Sequence, residues 1–336
     1  MKIKEAVKQV IELKDLSQQD AFEVAMEIMS GGTTDAQISA LLTALRMKGE
    51  TVDEITGFVR AMREKVTTIT CVPEYLIDTC GTGGDRAGTF NISTLSAFIA
   101  AGAGCHVAKH GNRSVSSNCG SADLLEEMGI KIDITPELMG KCIDEVGIGF
   151  LFAPILHKAM KYAIGPRREI GVRTIFNILG PLTNPAGAKR QVLGIFRKDL
   201  MGPISIVLKN LSSEHCLIVH GEDGLDEISI TGKTFISELH NGGIKEYEIE
   251  PKDFNLQTGT IDDIKGGSIQ DNAKIALDIL NGEKGSKRDI AVLNSGAAIY
   301  ASGRAGSLGK GIELALESID SGNAMETYQR LKELTK

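Results

Sequence analysis

The hydrophobic pattern of this chain changes near Tyr75, and this change restricts the possible folds more than any other feature of the sequence. Before that point the pattern is helical. Ser17, Thr34 and Thr51 each precede, by three residues, an acidic or amide side chain that could complete a helix N-cap. Glycines such as Gly49 fall where helices should end. Several short helices without an intervening strand predict a small helical domain.

After Tyr75, short apolar runs alternate with helical segments. The predicted strands cover Tyr75–Thr79, Cys105–Ala108, Gln191–Phe196 and Cys216–His220, and the predicted helices cover Ser93–Ala103, Ser121–Met128 and a segment starting at Thr135 and Pro136. We expect antiparallel strands in Ile228–Ile249 and helices in the C-terminal stretch. Alternation of this kind is typical of a mainly parallel sheet covered on both faces. The predicted fold class is therefore α/β, with a small, mostly helical domain and a larger domain around a mainly parallel central sheet.

Composition excludes several classes of function. The 336 residues carry a formal net charge of -7, which disfavours non-specific nucleic-acid binding. The six cysteines include no Cys-x-x-Cys pair, so a zinc or iron–sulfur site is not expected, and they are typical of reduced thiols in a cytoplasmic protein. The N-terminus lacks the apolar core of a signal peptide, and no apolar run approaches the length of a membrane span.

The strongest local motif is a glycine-rich segment at residues 78–85 (DTCGTGGD), followed by residues 91–94 (NIST). Closely spaced glycines let backbone N–H groups approach an anion, and the start of a helix offers a second anion site. Two such sites in tandem suit a ligand with phosphate at both ends. The motif is neither a Walker loop nor a dinucleotide fingerprint. The alternative is a simple glycine-rich turn with an ordinary N-cap.

A second polar loop, residues 109–117 (KHGNRSVSS), directly follows a predicted strand. Loops at the carboxyl ends of strands are where α/β folds bind ligands, so a phosphate site shared with the glycine-rich loop is expected. An isolated loop of this composition is more often only a solvated surface segment.

A third block contains residues 150–157 and three arginines, Arg167, Arg168 and Arg173. We predict helix, then helix, then a proline-bounded loop over residues 150–185. One of the arginines could bind a substrate carboxylate through its fork of donors, or all three could form structural ion pairs. Asp226 and Glu227 follow the strand Cys216–His220, and adjacent carboxylates there are hard ligands suited to Mg²⁺, or else an acidic surface turn.

Four of these motifs together resemble the anthranilate phosphoribosyltransferase family. They are the glycine-rich segment with NIST, KHGNR at 109–113, RTIFNILGPLTNP at 173–185 and GLDE at 224–227, in the order and spacing of that family. The resemblance covers essentially the whole chain. It implies a fold similar to pyrimidine nucleoside phosphorylases, a homodimer, and transfer of the phosphoribosyl group of phosphoribosyl pyrophosphate to anthranilate in tryptophan biosynthesis. It also implies a helical domain at 1–72, joined by a helical part near 165–190, and an α/β domain at 73–336 that binds phosphoribosyl pyrophosphate.

The resemblance also assigns residues. Phosphoribosyl pyrophosphate would be bound by Gly81, Gly84, Asp85, Thr89, Asn91, Ile92, Ser93, Thr94, Lys109, His110, Gly111, Asn112, Arg113, Ser114, Val115, Ser116, Ser117 and Ser121. Anthranilate would contact Gly81, Asn112 and Arg167, with Arg168 as the substitute for Arg167. Two magnesium ions per chain would be held by Ser93, Asp226 and Glu227. His110 and His157 would line the anthranilate channel or be structural.

Two competing functions remain at this point. The first is a pyrimidine nucleoside phosphorylase of the same fold, which needs phosphate and no pair of magnesium ions, so the acidic pair favours the transferase. The second is a non-catalytic relative that binds nucleic acid, which the net charge of -7 disfavours.

Overall fold

The computed structural model describes residues 1–85, 87–114 and 119–336. Within these ranges the helices are α1 (Ile3–Ile11), α2 (Gln18–Met29), α3 (Asp35–Lys48), α4 (Val52–Lys65), α5 (Ile92–Gly102), α6 (Ser121–Glu127), α7 (Pro136–Val146), α8 (Ala153–Leu156), α9 (Lys161–Ile170), α10 (Phe176–Leu179), α11 (Met201–Asn210), α12 (Ile269–Leu280), α13 (Ser286–Ala301), α14 (Leu308–Asp320) and α15 (Asn323–Leu334). The strands are β1 (Leu76–Gly81), β2 (His106–Gly111), β3 (Ile148–Phe152), β4 (Arg190–Gly194), β5 (His215–Gly221), β6 (Thr234–His240) and β7 (Gly243–Ile249).

Helices α2, α3 and α4 begin where the capping residues predicted. The Ser17 hydroxyl accepts a hydrogen bond from the Asp20 amide, while Thr34 and Thr51 form reciprocal capping boxes with Gln37 and Glu54. Each cap satisfies amide groups that the first helical turn leaves without a partner. The strand-free helical start is therefore confirmed.

The seven strands form one sheet in the order β3-β2-β1-β4-β5-β6-β7. The pairs from β3 to β5 are parallel, and β5, β6 and β7 are antiparallel. The mainly parallel sheet and its antiparallel addition agree with the prediction.

Two hydrophobic cores lie on opposite faces of this sheet because side chains alternate along each strand. Val192 and Leu217 face the core around α5 and α13. Their neighbours Leu193 and Ile218 face the core shared by α11 and the N-terminal helices. The N-terminal helices therefore share a core with α11, in the layer that covers one face of the sheet. The boundary at residue 72 stays a prediction.

One part of the sequence prediction is wrong. Residues 148–152 form β3 at the edge of the sheet, and the helix begins only at Ala153. All five residues of β3 are buried, so the strand is a continuous apolar run that periodicity cannot separate from a buried helix. Val115, Ser116 and Ser117, predicted to bind phosphate, lie outside the described residues. None of the helices in the described ranges is long and apolar enough to cross a membrane.

Candidate active site

The predicted ligand-binding segments meet at the carboxyl edge of the parallel strands. The glycine-rich loop follows β1, residues 112–114 follow β2, and the acidic pair follows β5. Strand β1 pairs in parallel with β2 and β4, and β4 pairs in parallel with β5, so the ends of β1, β2 and β5 reach the same edge of the sheet. Ligands of open α/β sheets bind at this edge.

The glycine-rich loop has the backbone that only glycine adopts readily. Gly83 and Gly84 have φ of +67° and +80°, a region that strains other residues. The Gly83 amide donates to Asp226 Oδ2 at 2.7 Å. A β-carbon at Gly81 would lie 2.6 Å from that same carboxylate oxygen, so Gly81 provides the space that Asp226 occupies. Beyond the loop, Thr89 bridges to Lys265, a support that the sequence did not indicate.

Helix α5 starts from Asn91 beneath this loop. The Asn91 side-chain amide donates to the Cys119 carbonyl at 3.0 Å, while its buried Oδ1 has no partner among the described residues. A buried acceptor without a donor is costly, so this oxygen is suited to a ligand hydroxyl. The Ser93 amide donates to the carboxylate of Glu227, and Thr94 is buried in the first turn.

Lys109 extends from β2 into the middle of the edge. Its ammonium lies 2.6 Å from the Thr79 carbonyl and 3.4 Å from Ser93 Oγ. Burial lowers the pKa of Lys109, while the negative charge of Asp78 opposes that effect. The lysine therefore places a cation between the glycine-rich loop and the start of α5.

Three carboxylates, those of Asp85, Asp226 and Glu227, converge opposite Lys109. Burial, and then the charge of Asp85, raise the pKa of Asp226. Burial, and then Asp226, raise the pKa of Glu227 well above its ordinary value, although Lys109 acts in the other direction. Carboxylates that raise one another's pKa lack enough positive charge, and hard oxygen donors of this kind fit Mg²⁺. Asp85 had been predicted for phosphoribosyl pyrophosphate, and its place beside Asp226 was not foreseen.

A buried group of hydrogen bonds around Asp78 and Asn184, which the sequence did not predict, supports this edge of the sheet. Asp78 accepts a hydrogen bond from the His110 amide at 3.1 Å and another from the Asn184 side chain at 2.8 Å. Asn184 also donates to the Ala108 carbonyl. Burial raises the pKa of Asp78 to about 6. Asp78 lies in the glycine-rich segment and Asn184 in residues 173–185, but their contact joins positions 106 residues apart and has no local signal.

The Asp123 carboxylate connects Ser114, in the second loop, to Gly120. Asp123 Oδ2 accepts hydrogen bonds from the Ser114 amide at 3.2 Å and the Gly120 amide at 2.9 Å. Arg113, predicted to bind phosphate, forms ion pairs with Asp123 and Glu126 in this structure. In a separate contact, the Ser121 hydroxyl donates to the Asn112 carbonyl at 3.1 Å, which places these two predicted residues side by side.

His110 and His157 form a buried pair with their Nε2 atoms 3.1 Å apart. Burial lowers the pKa of His110 to about 3 and that of His157 to about 4, so both rings are neutral at pH 7. His110 also donates to the Gly180 carbonyl, which leaves its Nε2 as the acceptor of the His157 N–H.

Arg167 and Arg168 differ in their surroundings. The Arg167 guanidinium is half-buried and lies 5.3 Å from the centre of the Phe176 ring, whereas Arg168 is exposed on the same helix. Burial lowers the pKa of Arg167. A partly desolvated arginine can bind a carboxylate more strongly than an exposed one.

A different cluster of ionisable residues lies at the opposite end of β5. His215 Nε2 is 2.8 Å from Glu238 Oε1, and the hydroxyls of Tyr247 and Tyr300 donate to the same carboxylate at 2.9 and 2.8 Å. The His215 and His240 rings are stacked 4.1 Å apart at 12°. Imidazole ligands bind a metal in the ring plane, and the planes of stacked rings do not converge on one ion. This cluster is therefore a satisfied hydrogen-bond network.

Comparison with known proteins agrees with this geometry. Residues 4–66 match the family model described as the helical bundle domain of a glycosyl transferase family, and residues 74–325 match its a/b domain. An anthranilate phosphoribosyltransferase from Cellvibrio japonicus is 52% identical, with 100% of this chain and 99% of that protein covered.

Solved structures of that name have the same fold. The crystal structure from Thermus thermophilus has a TM-score of 0.94 and 41% identity, covering 98% of this chain and 99% of that one. The Saccharomyces cerevisiae protein in complex with phosphoribosyl pyrophosphate and Mg has a TM-score of 0.91 and 26% identity, covering 99% and 97%.

Proposed function

This chain belongs to the anthranilate phosphoribosyltransferase family, and from that premise we propose how its residues divide the reaction between two substrates. The enzyme transfers the 5-phosphoribosyl group of phosphoribosyl pyrophosphate to the amine of anthranilate. The products are N-(5-phosphoribosyl)anthranilate and pyrophosphate, in the second step from chorismate to tryptophan.

The observation that carries the proposal is the meeting of anion donors and carboxylates at one sheet edge. The positive-φ glycines and Lys109 supply the donors and charge that a diphosphate requires. The unpartnered Asn91 Oδ1 can accept a ribose hydroxyl. We assign phosphoribosyl pyrophosphate to this edge, with Asp85 and the loop after β2 completing its site.

Ser93, Asp226 and Glu227 are proposed to hold magnesium, with two ions per chain. Ions held by these residues would neutralise charge on the leaving diphosphate. The protein carboxylates supply only part of the oxygen shell that Mg²⁺ prefers, so substrate oxygens should supply more of it. A cation would oppose the rise in the pKa values of Asp226 and Glu227 and stabilise their charged forms.

Anthranilate is assigned to the side of the site formed by Gly81, Asn112 and Arg167, with Arg167 pairing with its carboxylate. The neutral His110–His157 pair adjoins the Gly180 carbonyl and carries no positive charge that would oppose the charge developing on the amine nitrogen as it attacks. Because that amine is already neutral at pH 7, positioning and stabilisation of the leaving group should supply most of the rate. The transition state at the anomeric carbon should resemble an oxocarbenium ion.

The chain is also proposed to act as a homodimer in the cytoplasm. Ile11, Leu13 and Met47 are large apolar side chains exposed by 63%, 71% and 82%. Lys48 forms an ion pair with Asp15, which brings the end of α3 close to the segment after α1. The three exposed apolar side chains lie on these two segments, and such an apolar region is suited to contact with a second copy of the chain. All six cysteines are thiols, as expected in a reducing compartment.

The test is release of pyrophosphate from phosphoribosyl pyrophosphate when anthranilate and Mg²⁺ are present. We expect release to need both. Arg167→Ala should raise the Michaelis constant for anthranilate by about 10- to 100-fold, as loss of a charged hydrogen bond implies, and change that for phosphoribosyl pyrophosphate little. Arg168→Ala is the matched comparison and should have a much smaller effect. Equal changes in both constants for Arg167→Ala, or cleavage of pyrimidine nucleosides by phosphate instead, would contradict the proposal.

A further inference from the structure

The peptide groups of Gly83 are held from two directions. Its amide donates to Asp226 Oδ2 at 2.7 Å, and its carbonyl accepts from Arg173 Nη2 at 2.8 Å. One bond joins the loop to a proposed magnesium ligand. The other joins it to a residue between α9 and α10 that the proposed mechanism does not use.

The Arg173 guanidinium is itself fixed in place. Its central carbon lies 3.9 Å from the centre of the Phe196 ring, and the guanidinium occupies the space that a β-carbon on Gly84 would need. The Phe196 amide donates to the Thr82 hydroxyl at 3.1 Å. Phe196 therefore supports the loop directly through its backbone and indirectly through the arginine on its ring.

Arg173 also belongs to the segment proposed to bind the other substrate. It stands six residues after Arg167 and three before Phe176, on whose ring Arg167 lies. Helix α9 packs on α3, and α10 packs on α4, so this segment is part of the helical layer. Arg173 thus connects that layer to the glycine-rich loop through a direct hydrogen bond.

We propose that Arg173 is a positioning residue that holds the glycine-rich loop in its diphosphate-binding shape from the helical layer. The inference rests on the proposed function of that loop. A loop with two consecutive positive-φ glycines can adopt many conformations, so external bonds must select one. Arginine suits this task because its planar fork can stack on a ring and donate at the same time, which lysine cannot do equally well.

The test measures the dissociation constant of phosphoribosyl pyrophosphate at saturating Mg²⁺, and both Michaelis constants. Arg173→Ala and Arg173→Lys should each weaken phosphoribosyl pyrophosphate binding by about 10- to 100-fold, the scale of one lost charged hydrogen bond. Phe196→Leu should weaken it by a few-fold, although that ring is not assigned to either substrate. The Michaelis constant for anthranilate should change far less, because Arg167 has its own support on Phe176.

A double-mutant cycle tests whether the Phe196 ring acts through Arg173, and Arg173→Lys separates positioning from direct phosphate contact. If Arg173 acts through the loop, Phe196→Leu added to Arg173→Ala should cause no further loss, because both changes remove one support. If Arg173→Lys binds like the parent and Phe196→Leu has no effect, the arginine acts by charge on the substrate and the inference is overturned. Unchanged binding in all variants would overturn it too.

Two controls complete the design. Arg60, which lies over the Phe22 ring 5.5 Å from its centre, is a matched arginine on the helical layer, and Arg60→Ala should leave substrate binding unchanged. Gly83→Val tests the proposed function itself. If Gly83→Val binds phosphoribosyl pyrophosphate like the parent, the loop is not its site and the proposed function fails. If Gly83→Val abolishes binding while the Arg173 variants do not affect it, only the positioning role fails.

Discussion

The two ends of strand β5 hold buried carboxylates in opposite electrostatic states. Asp226, after the carboxyl end, and Glu238, paired with the amino end, are each 8% exposed. Yet the pKa of Asp226 is raised, by burial and the charge of Asp85, whereas that of Glu238 is lowered to about 2. Burial acts on Glu238 in the opposite direction, but hydrogen bonds from His215, Tyr300 and Tyr247 outweigh it.

The difference shows that two equally exposed carboxylates can differ in pKa because their hydrogen-bond donors and neighbouring charges differ. Glu238 accepts three side-chain hydrogen bonds, and its charge is fully used within the protein. Asp226 accepts hydrogen bonds from the backbone amides of Gly83 and of its own residue, and it faces other acids. Functional sites commonly retain such unfavourable arrangements, which a ligand then relieves.

The largest expected effect comes from removing the charges of Asp226 and Glu227, which follow the carboxyl end of β5. Asp226→Asn with Glu227→Gln should lower kcat/KM by about a thousandfold or more, the scale of losing a preorganised electrostatic group. Folding stability at pH 8 should equal or exceed the parent's, because two poorly compensated buried charges are gone. Binding of phosphoribosyl pyrophosphate should no longer depend on Mg²⁺. Titration with and without Mg²⁺ measures this, and a retained magnesium dependence would place the metal elsewhere.

Removing the charge of Glu238, near the amino end of β5, should instead lower stability and leave activity nearly unchanged. Glu238→Gln leaves one buried donor, His215, and two half-buried donors, Tyr247 and Tyr300, facing a neutral acceptor. The unfolding free energy should fall by about 3 kcal/mol, as for other broken buried pairs. Activity per folded molecule should stay close to the parent's. Chemical denaturation followed by assay at low temperature measures both. A stable variant with lost activity would mean that this cluster is also functional.

The acid dependence of stability should reflect Glu238. Because its folded pKa is about 2 and its ordinary value 4.5, its contribution is complete above pH 4.5 and is lost as pH falls towards 2. At about 1.36 kcal/mol per pKa unit the whole contribution is about 3 kcal/mol. The difference in unfolding free energy between parent and Glu238→Gln should therefore shrink as pH falls below 4.5. Glu246→Gln, an exposed change on the same hairpin, should show no such trend.

The smallest effect should follow from a change in the packing around Asp226. A β-carbon in Gly81→Ala would lie 2.6 Å from Asp226 Oδ2 and must displace that flexible carboxylate. We expect about a tenfold rise in the Michaelis constant for phosphoribosyl pyrophosphate, since one ligand contact is weakened. Little stability should be lost. Gly306→Ala, where a β-carbon would meet no atom within 4 Å, is the control. Equal effects of the two variants would mean that Gly81 does not set the position of Asp226.

The fold followed from the sequence wherever the signal was local. Helix starts at Ser17, Thr34 and Thr51 came from side chains that bond amides three residues away. Alternation of strands and helices was sufficient for the fold class. Strand β3 was missed because a short buried apolar run has no period that separates strand from helix. The motifs also identified Lys109, Asp226 and Glu227 as candidates for one site.

Only the tertiary structure decided how those candidates act on one another. The contact of Gly83 with Asp226 spans 143 positions, and that of Arg173 with Gly83 spans 90. No local pattern records such contacts, because only the folded chain brings the end of β1 close to the acidic pair after β5 and to the helical layer that carries Arg173. By itself, the sequence determined which charged groups the protein has. Tertiary packing determined that Glu238 is satisfied and Asp226 is not, because a carboxylate's pKa depends on the donors and charges around it.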